Sequence, residues 1–389
     1  MKGYYLLVCM FLIVGLFVIG CEADVDEPEE VVDEPEEVVD EPEEVVDEPE
    51  EISIDPAIVS EIDSVIAELD EGAISEDEAV DAIKGVIPKP ANDPDYPERS
   101  LEYVIGWGEG GGSDRYARNI GREAEKFLGQ NFVYNNMPGA GSEIAFSYMQ
   151  GQPSDGYTVF GTVTPNLIND AFDDVPYNFA EVATFFISNQ GPSEALWVLT
   201  DGPFETIEDV VEYAKENPGE LVYTGAAAKS ESEMSCFLLN DHYGIDISYL
   251  GFEGAGERVS ALLGEHADIL YESVGPVIDI YRAGEVKPIL YLGGNVFDEL
   301  DPDVPTSDEL GFQQIGRYRG IVGPVGVPAD IAEYLYYVFY ASSQMPDYKE
   351  YEKESHLHYS QPWALDPIDF EEFYERHKAD IEEIIELHY

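Results

Sequence analysis

The sequence predicts an α/β protein of two lobes, each a mainly parallel sheet flanked by helices. Three observations carry this expectation. Short β-rich runs alternate with helical patterns in two stretches, Leu101 to Thr164 and Leu221 to Leu292, and such alternation makes parallel sheets covered by helices. A glycine-rich loop joins the first strand to the first long helix, at the strand end where ligands bind in such sheets. The 389 residues, 44% hydrophobic, suffice for two or three domains with a large core.

The chain opens on a leader. Lys2 supplies a positive start, and the apolar run Tyr4 to Ile19 is shorter than the ~20 residues that span a bilayer. It ends Val18-Ile19-Gly20-Cys21, which resembles a bacterial lipobox, although Ile19 is an unusual residue there. Residues 1–21 thus read as a signal peptide whose cleavage leaves Cys21 as the lipidated end. An uncleaved signal anchor is the alternative, and both readings place the rest of the chain outside the cytoplasm.

Residues 22–51 repeat Val-Asp-Glu-Pro-Glu-Glu-Val. The period of seven is that of a coiled coil, but a proline in every repeat forbids a continuous helix. Dense like charge with proline predicts a disordered, extended tether, reaching up to ~90 Å at ~3 Å per residue. Residues 52–98 read as a helical hairpin and linker. Ile58, Ile62, Val65, Ile66 and Leu69 form one stripe, Gly72 marks the turn, and a second helix starts at Ser75 with Glu78 completing a capping box and Ala79, Ala82 and Ile83 along it. Whether the hairpin docks on the main domain or belongs to the stalk is open at this level. Pro88 to Pro97 is a proline-rich linker.

The main domain then reads as strand Leu101–Ile105, helix Asp114–Leu128, strand Phe132–Tyr134, helix Ile144–Met149 and strand Tyr157–Gly161. Its second run is helix Ile207–Asn217, strand Leu221–Tyr223, helix Ser232–Tyr243, strand Ile247–Tyr249, helix Glu257–Leu263, and strands Ile269–Tyr271 and Val286–Tyr291. The expected division is 99–198 plus about 320–389 for lobe 1 and 199–319 for lobe 2.

Charge and cysteines restrict function. Asp and Glu total 82 against 19 Lys and Arg, a formal net charge of −63, which repels nucleic acid and anionic lipid. The acid is spread over every segment after Cys21, a pattern of adaptation to a salty medium more than of one cation-binding patch. Of three cysteines, Cys9 and Cys21 lie in the leader, so Cys236 has no intrachain partner and reads as a small core residue.

Chemistry concentrates in the loops. In Gly106-Trp107-Gly108-Glu109-Gly110-Gly111-Gly112-Ser113-Asp114 the glycines free backbone N–H groups to turn toward a ligand, and a helix N-terminus favours a negative group. Gly106, Gly108 and Gly111 match G-x-G-x-x-G, but Asn135 and Asn136 stand where a dinucleotide site needs an acid. Asn136-Met137-Pro138-Gly139-Ala140-Gly141-Ser142 follows, and Asp155-Gly156 reads as a turn. No P-loop lysine or G-x-S-x-G elbow is present, and His356 and His358 lack clustered ligands, so no metal or cofactor is expected.

The order of these loops, followed by Pro153-Ser154-Asp155-Gly156-Tyr157-Thr158, Pro218-Gly219-Glu220-Leu221, Gly254-Ala255-Gly256, Ala261-Leu262-Leu263-Gly264, Asp303-Val304-Pro305-Thr306 before Glu309-Leu310-Gly311-Phe312, and Gly323-Pro324, resembles the substrate-binding receptors of tripartite tricarboxylate transporters, the Bug or TctC-like family. The resemblance spans Tyr96 to the C-terminus. It implies a periplasmic-binding-protein-like fold whose lobes close on a small organic solute, commonly a carboxylate, for delivery to membrane transporter subunits, with no catalysis. The ligand residues it implies are Gly110, Gly111, Gly112, Ser113 and Asp114, with Thr162 and Thr164, and from the second lobe Gly225, Ala226, Ser230, Phe252, Gly254 and Ser273. Trp107 matches an aromatic at the cleft, with a core position as the alternative. The chain departs from the family at Glu109, Glu231, Glu233, Glu253 and Glu272, through surface salt adaptation or through a ligand with a cationic group such as an amino acid. An α/β enzyme acting in the same cleft is the alternative function.

Overall fold

The computed structural model describes residues 52–389 apart from 173–178, 180–181, 190–193, 253, 294–298, 312–313, 316–317 and 357–366. The leader with Cys21, the acidic repeat, Glu253 and His358 therefore lie outside the described residues.

The chain enters through a helical hairpin, α1 (Pro56–Asp70) and α2 (Glu76–Val86). The expected capping box forms: Ser75 N–H donates to Glu78 Oε2 at 2.8 Å and Glu78 N–H to Ser75 Oγ at 3.4 Å. The hairpin docks on the first lobe, since Ile62, Ile66, Val80, Ile83 and Ile87 are buried in one cluster with Ile120, Phe127, Leu335 and Val338. The predicted stripe is the docking face, with Ile58, Val65 and Leu69 along its margin.

The first lobe contains β1 (Leu101–Ile105), α3 (Gly112–Leu128), β2 (Phe132–Asn136), α4 (Glu143–Gln150), β3 (Thr158–Val163), α5 (Thr164–Ala171) and β4 (Ala183–Asn189). The chain then crosses to β5 (Glu194–Leu199), α6 (Ile207–Glu216), β6 (Val222–Gly225), α7 (Glu231–Tyr243), β7 (Ser248–Gly251), α8 (Ala255–Leu263), β8 (Ile269–Ser273), α9 (Val274–Arg282), β9 (Val286–Tyr291) and the short α10 (Ser307–Leu310). It returns through β10 (Tyr318–Gly323), α11 (Ala329–Gln344), α12 (Pro346–Glu354) and α13 (Pro367–His388).

The sheets run β2-β1-β3-β10-β4 and β7-β6-β8-β5-β9. In each, three neighbouring strands are parallel and the fourth is antiparallel to both its neighbours. Those fourth strands, β10 and β5, are the ones by which the chain enters each lobe from the other. The expected break between 198 and 199 is corrected accordingly. Glu194–Leu199 pairs with β8 and β9 and belongs wholly to the second sheet, because an entering strand is placed by its hydrogen-bond partners and not by its sequence neighbours.

Helices cover both faces of each sheet. The hairpin, α3 and α11 close one side of the first sheet, and α4, α5 and α13 the other. Cys236, on α7, is fully buried, and burial raises its thiol pKa. Among the described residues no helix is long and apolar enough to cross a membrane.

Candidate functional site

The loop after β1 is shaped by close approach. A Cβ on Gly106 would lie 1.7 Å from Ser142 Oγ, so the first and second glycine loops touch where only hydrogen fits. Gly110 holds φ +75°, a left-handed backbone that glycine adopts without strain. Asp114 fastens the loop from within. Its carboxylate accepts from Gly110 N–H at 2.9 Å, Arg118 Nε at 2.9 Å and Asn136 Nδ2 at 3.0 Å, while the same Asn136 amide donates to Trp107 O at 2.9 Å. Desolvation opposes the charge, but the bonds from Arg118, Gly110 and Asn136 outweigh it and hold the carboxyl below its ordinary range.

The loop delivers the start of α3 to the space between the lobes with no side-chain cap on its first turn, leaving amide donors and a positive dipole end for an anion. The second loop bends through left-handed backbone at Ala140 and Ser142, φ +48° and +85°, strain of the kind that gathers at ligand sites. At the β3–α5 junction, Thr164 Oγ1 accepts from Tyr318 N–H at 3.0 Å and so ties the junction to β10.

The second lobe contributes Ala226–Glu231. Tyr249 Oη donates to Ala226 O at 2.5 Å, and Ser232 Oγ accepts from Ala226 N–H at 2.8 Å. Lys229 has φ +58°, and Ser230 caps α7 by accepting from Glu233 N–H. Beside it α8 starts at Ala255, where Glu257 Oε2 accepts from Gly254 N–H at 3.2 Å. Arg258 Nε donates to Glu272 Oε2 at 2.8 Å, and Ser273 N–H and Oγ donate to the other oxygen of Glu272.

These segments enclose one cavity of about 670 Å³, lined from both lobes, within the range of small-molecule sites. Of the residues singled out in the sequence, Trp107, Gly111, Gly112, Ser113, Thr164, Ala226, Ser230 and Gly254 line it, and Trp107 thus takes the cleft position. Gly110, Asp114, Thr162, Gly225, Phe252 and Ser273 do not line it and act behind it. Gly110 and Asp114 shape the first loop; Thr162 is buried against Asn166 and Tyr318. Gly225 lets Ser232 and Tyr249 pack closely. Phe252 contributes its carbonyl to Arg258 Nη1, and Ser273 holds Glu272.

Sequence reasoning missed the basic residues that line the cavity, Lys229 and Arg258 from the second lobe and Arg319 from the first. Three of the chain's 19 basic residues thus gather at one cavity of a protein with net charge −63, where they offset the three acids of the same lining, Glu109, Glu231 and Glu272. The acids read as departures are partly committed elsewhere. Glu272 pairs with Arg258, and Glu233 accepts from Lys229 N–H at 2.7 Å. Glu109 and Glu231 line the cavity.

Two α/β lobes with helix N-termini facing a shared cleft define the class of two-lobed solute-binding proteins. The chain belongs to the tripartite tricarboxylate transporter family receptors (TctC), whose pattern it matches over residues 116–388; this is the family read from the order of the sequence motifs. It is 29% identical over 265 residues to a UPF0065 protein from the gbd 5' region of Cupriavidus necator, covering 68% of this chain and 80% of the relative. The fold is shared with an R. palustris protein solved with adipate, at TM-score 0.65 and 23% identity over 75% of this chain and 98% of the other. It is shared also with MatC from Rhodopseudomonas palustris with bound malate, at TM-score 0.62 and 22% identity over 75% and 100%.

Proposed function

We propose that this protein is an extracytoplasmic, lipid-anchored receptor that captures a small organic carboxylate between its lobes and delivers it to a tripartite tricarboxylate-type membrane transporter. The observation that carries the reading is the convergence of two helix N-termini, α3 from one lobe and α8 from the other, on one cavity that also holds Lys229, Arg258 and Arg319. An anion bridging the lobes favours their closed arrangement by its differential affinity for that state, and the membrane partner reads closure. The ligand residues are those of the expected set that line the cavity, led by Gly111, Gly112 and Ser113. The carboxylates named for structural relatives, adipate and malate, are starting probes. Cleavage before Cys21 and lipidation would fix the chain to the membrane, with residues 22–51 as spacer.

Mass spectrometry of small molecules that co-purify with the native protein, followed by calorimetry with each, tests the reading. An organic acid bound stoichiometrically at micromolar Kd or tighter is expected. Turnover of the bound compound, or silence across a broad carboxylate set, overturns it.

A further inference from the structure

Helix α13 packs on the first lobe and reaches the second. Ile381 and Ile384 are buried in one cluster with Leu167 and Ile168 of α5. Asp170, near the end of α5, accepts through Oδ2 from Tyr374 Oη at 2.5 Å and from Lys378 Nζ at 3.1 Å. Met234 of α7, a helix of the second lobe, is fully buried in the same cluster, with Phe237 and Leu238 packed against it. The chain passes between the lobes on entering β5 and β10. The seam of α5, α13 and α7 is a further link, made by side chains.

The last turn of α13 adds directional contacts. The His388 ring stacks on Phe237 of α7, with centres 4.5 Å apart, and its Nε2 lies 2.8 Å from Asp241 Oδ2. The Tyr389 ring stands 4.9 Å from Phe172 of the first lobe and 5.7 Å from Phe237 of the second, so one ring touches both. Its hydroxyl donates to Glu233 Oε2. That same oxygen accepts from Lys229 N–H at 2.7 Å. Two hydrogen bonds thus lead from α13 through Glu233 to the backbone of Lys229, which lines the cavity together with Ser230 and Glu231. Lys229 has left-handed backbone, φ +58°, a conformation that a lysine keeps where its surroundings hold it.

We propose that Tyr389 and Glu233 are positioning residues: the end of α13 is a strap that ties the start of α7 to the first lobe and holds Lys229 to Glu231 at the cavity before a solute arrives. The strap stands on geometry alone; its effect on solute capture rests on the receptor reading. A wall set in place beforehand costs less to order when ligand binds, which raises affinity without any new contact to the ligand.

The test compares the full chain with its Tyr389→Ala and Tyr389→Phe variants. Ligand-free protein is read first, by amide hydrogen exchange and by single-molecule energy transfer between dyes attached through noncanonical amino acids at the exposed Val133 of β2 and Leu250 of β7. Tyr389→Ala should speed exchange at Lys229 to Glu233 by about ten-fold or more, as local opening becomes easier, and broaden the distribution of dye distances. Tyr389→Phe keeps the ring and loses the donor, so it should speed exchange at Lys229 with the dye distribution unchanged. Calorimetry with adipate, malate and linear C2 to C8 dicarboxylates follows, and Tyr389→Ala should weaken binding by about five-fold or more. Wild-type exchange and dye distances in Tyr389→Ala overturn the strap, and so does faster exchange spread evenly over the second lobe, which marks general destabilisation. Wild-type exchange in Tyr389→Phe refutes the relay through Glu233. Equal affinity in wild type and a loosened Tyr389→Ala refutes the positioning role while the receptor reading stands. If wild type binds none of the acids while exchange and dye distances respond, the strap stands and the carboxylate reading falls.

Discussion

Arg118 donates through Nε to the Asp114 carboxylate at 2.9 Å, one turn apart on α3. This pair, with Asn136, fixes the loop that presents the helix end to the cavity, so Asp114 shapes the site from behind.

A pH dependence follows. The pKa of Asp114 is lowered in the fold, whereas an unfolded aspartate titrates near 3.9. A depressed carboxylate contributes stability that is present above the unfolded pKa and is lost as pH falls through the folded one. Asp114→Asn should therefore be less stable than wild type at pH 7, by about 2 kcal/mol, with the gap narrowing below about pH 4. Denaturant melts across pH 2.5 to 7 check this; a gap independent of pH contradicts it.

The two glycine positions should behave differently. At Gly112 a side chain meets the far end of the Arg319 side chain and no backbone, so Gly112→Leu should fold and lose ligand binding. At Gly106 a Cβ meets Ser142 Oγ at 1.7 Å and the Ser142 backbone at 3.0 Å. Gly106→Ala should therefore lower stability by about 2 kcal/mol, as overpacking does. Unchanged affinity in Gly112→Leu would remove the loop from the site.

The hairpin belongs to the first lobe's core. Tyr340 Oη donates to Asp63 Oδ1 at 2.6 Å, Lys126 pairs with Glu76 at 2.5 Å, and Ile83 is fully buried. Ile83→Ala should destabilise by about 3 kcal/mol and shift one cooperative urea transition. A separate early transition for the hairpin would show that it folds apart from the lobe.

The charge of −63 predicts salt dependence. At about 1 M salt the Debye length shrinks to ~3 Å, so repulsion among exposed carboxylates fades. The melting temperature should rise by about 10 °C or more between 0.05 and 2 M NaCl. A flat response counts against adaptation to a saline medium.

Periodicity made the regular elements legible. The stripe of α1, the Ser75 capping box and the strands after Arg99 appear within a few residues of their expected places, because each signal is local. β4, β5, β10 and α11 were not legible. The β5 run Glu194–Val198 is buried at every position and α11 is buried nearly all round, so neither shows an alternation that reveals a face. Arg319 was invisible for a related reason. It stands in a strand with no motif around it, and only the pairing of β10 with β3 places it beside Ser113.

The sequence alone determined the α/β class, the loops at strand ends and the family, because turn chemistry and periodic burial are written in neighbouring residues. Tertiary structure decided which loops face one another, that Asp114 supports the loop instead of lining the cavity, and that cations scattered far apart in the chain converge on one cavity. Those outcomes depend on strand order and on long-range packing, which residues adjacent in sequence do not encode.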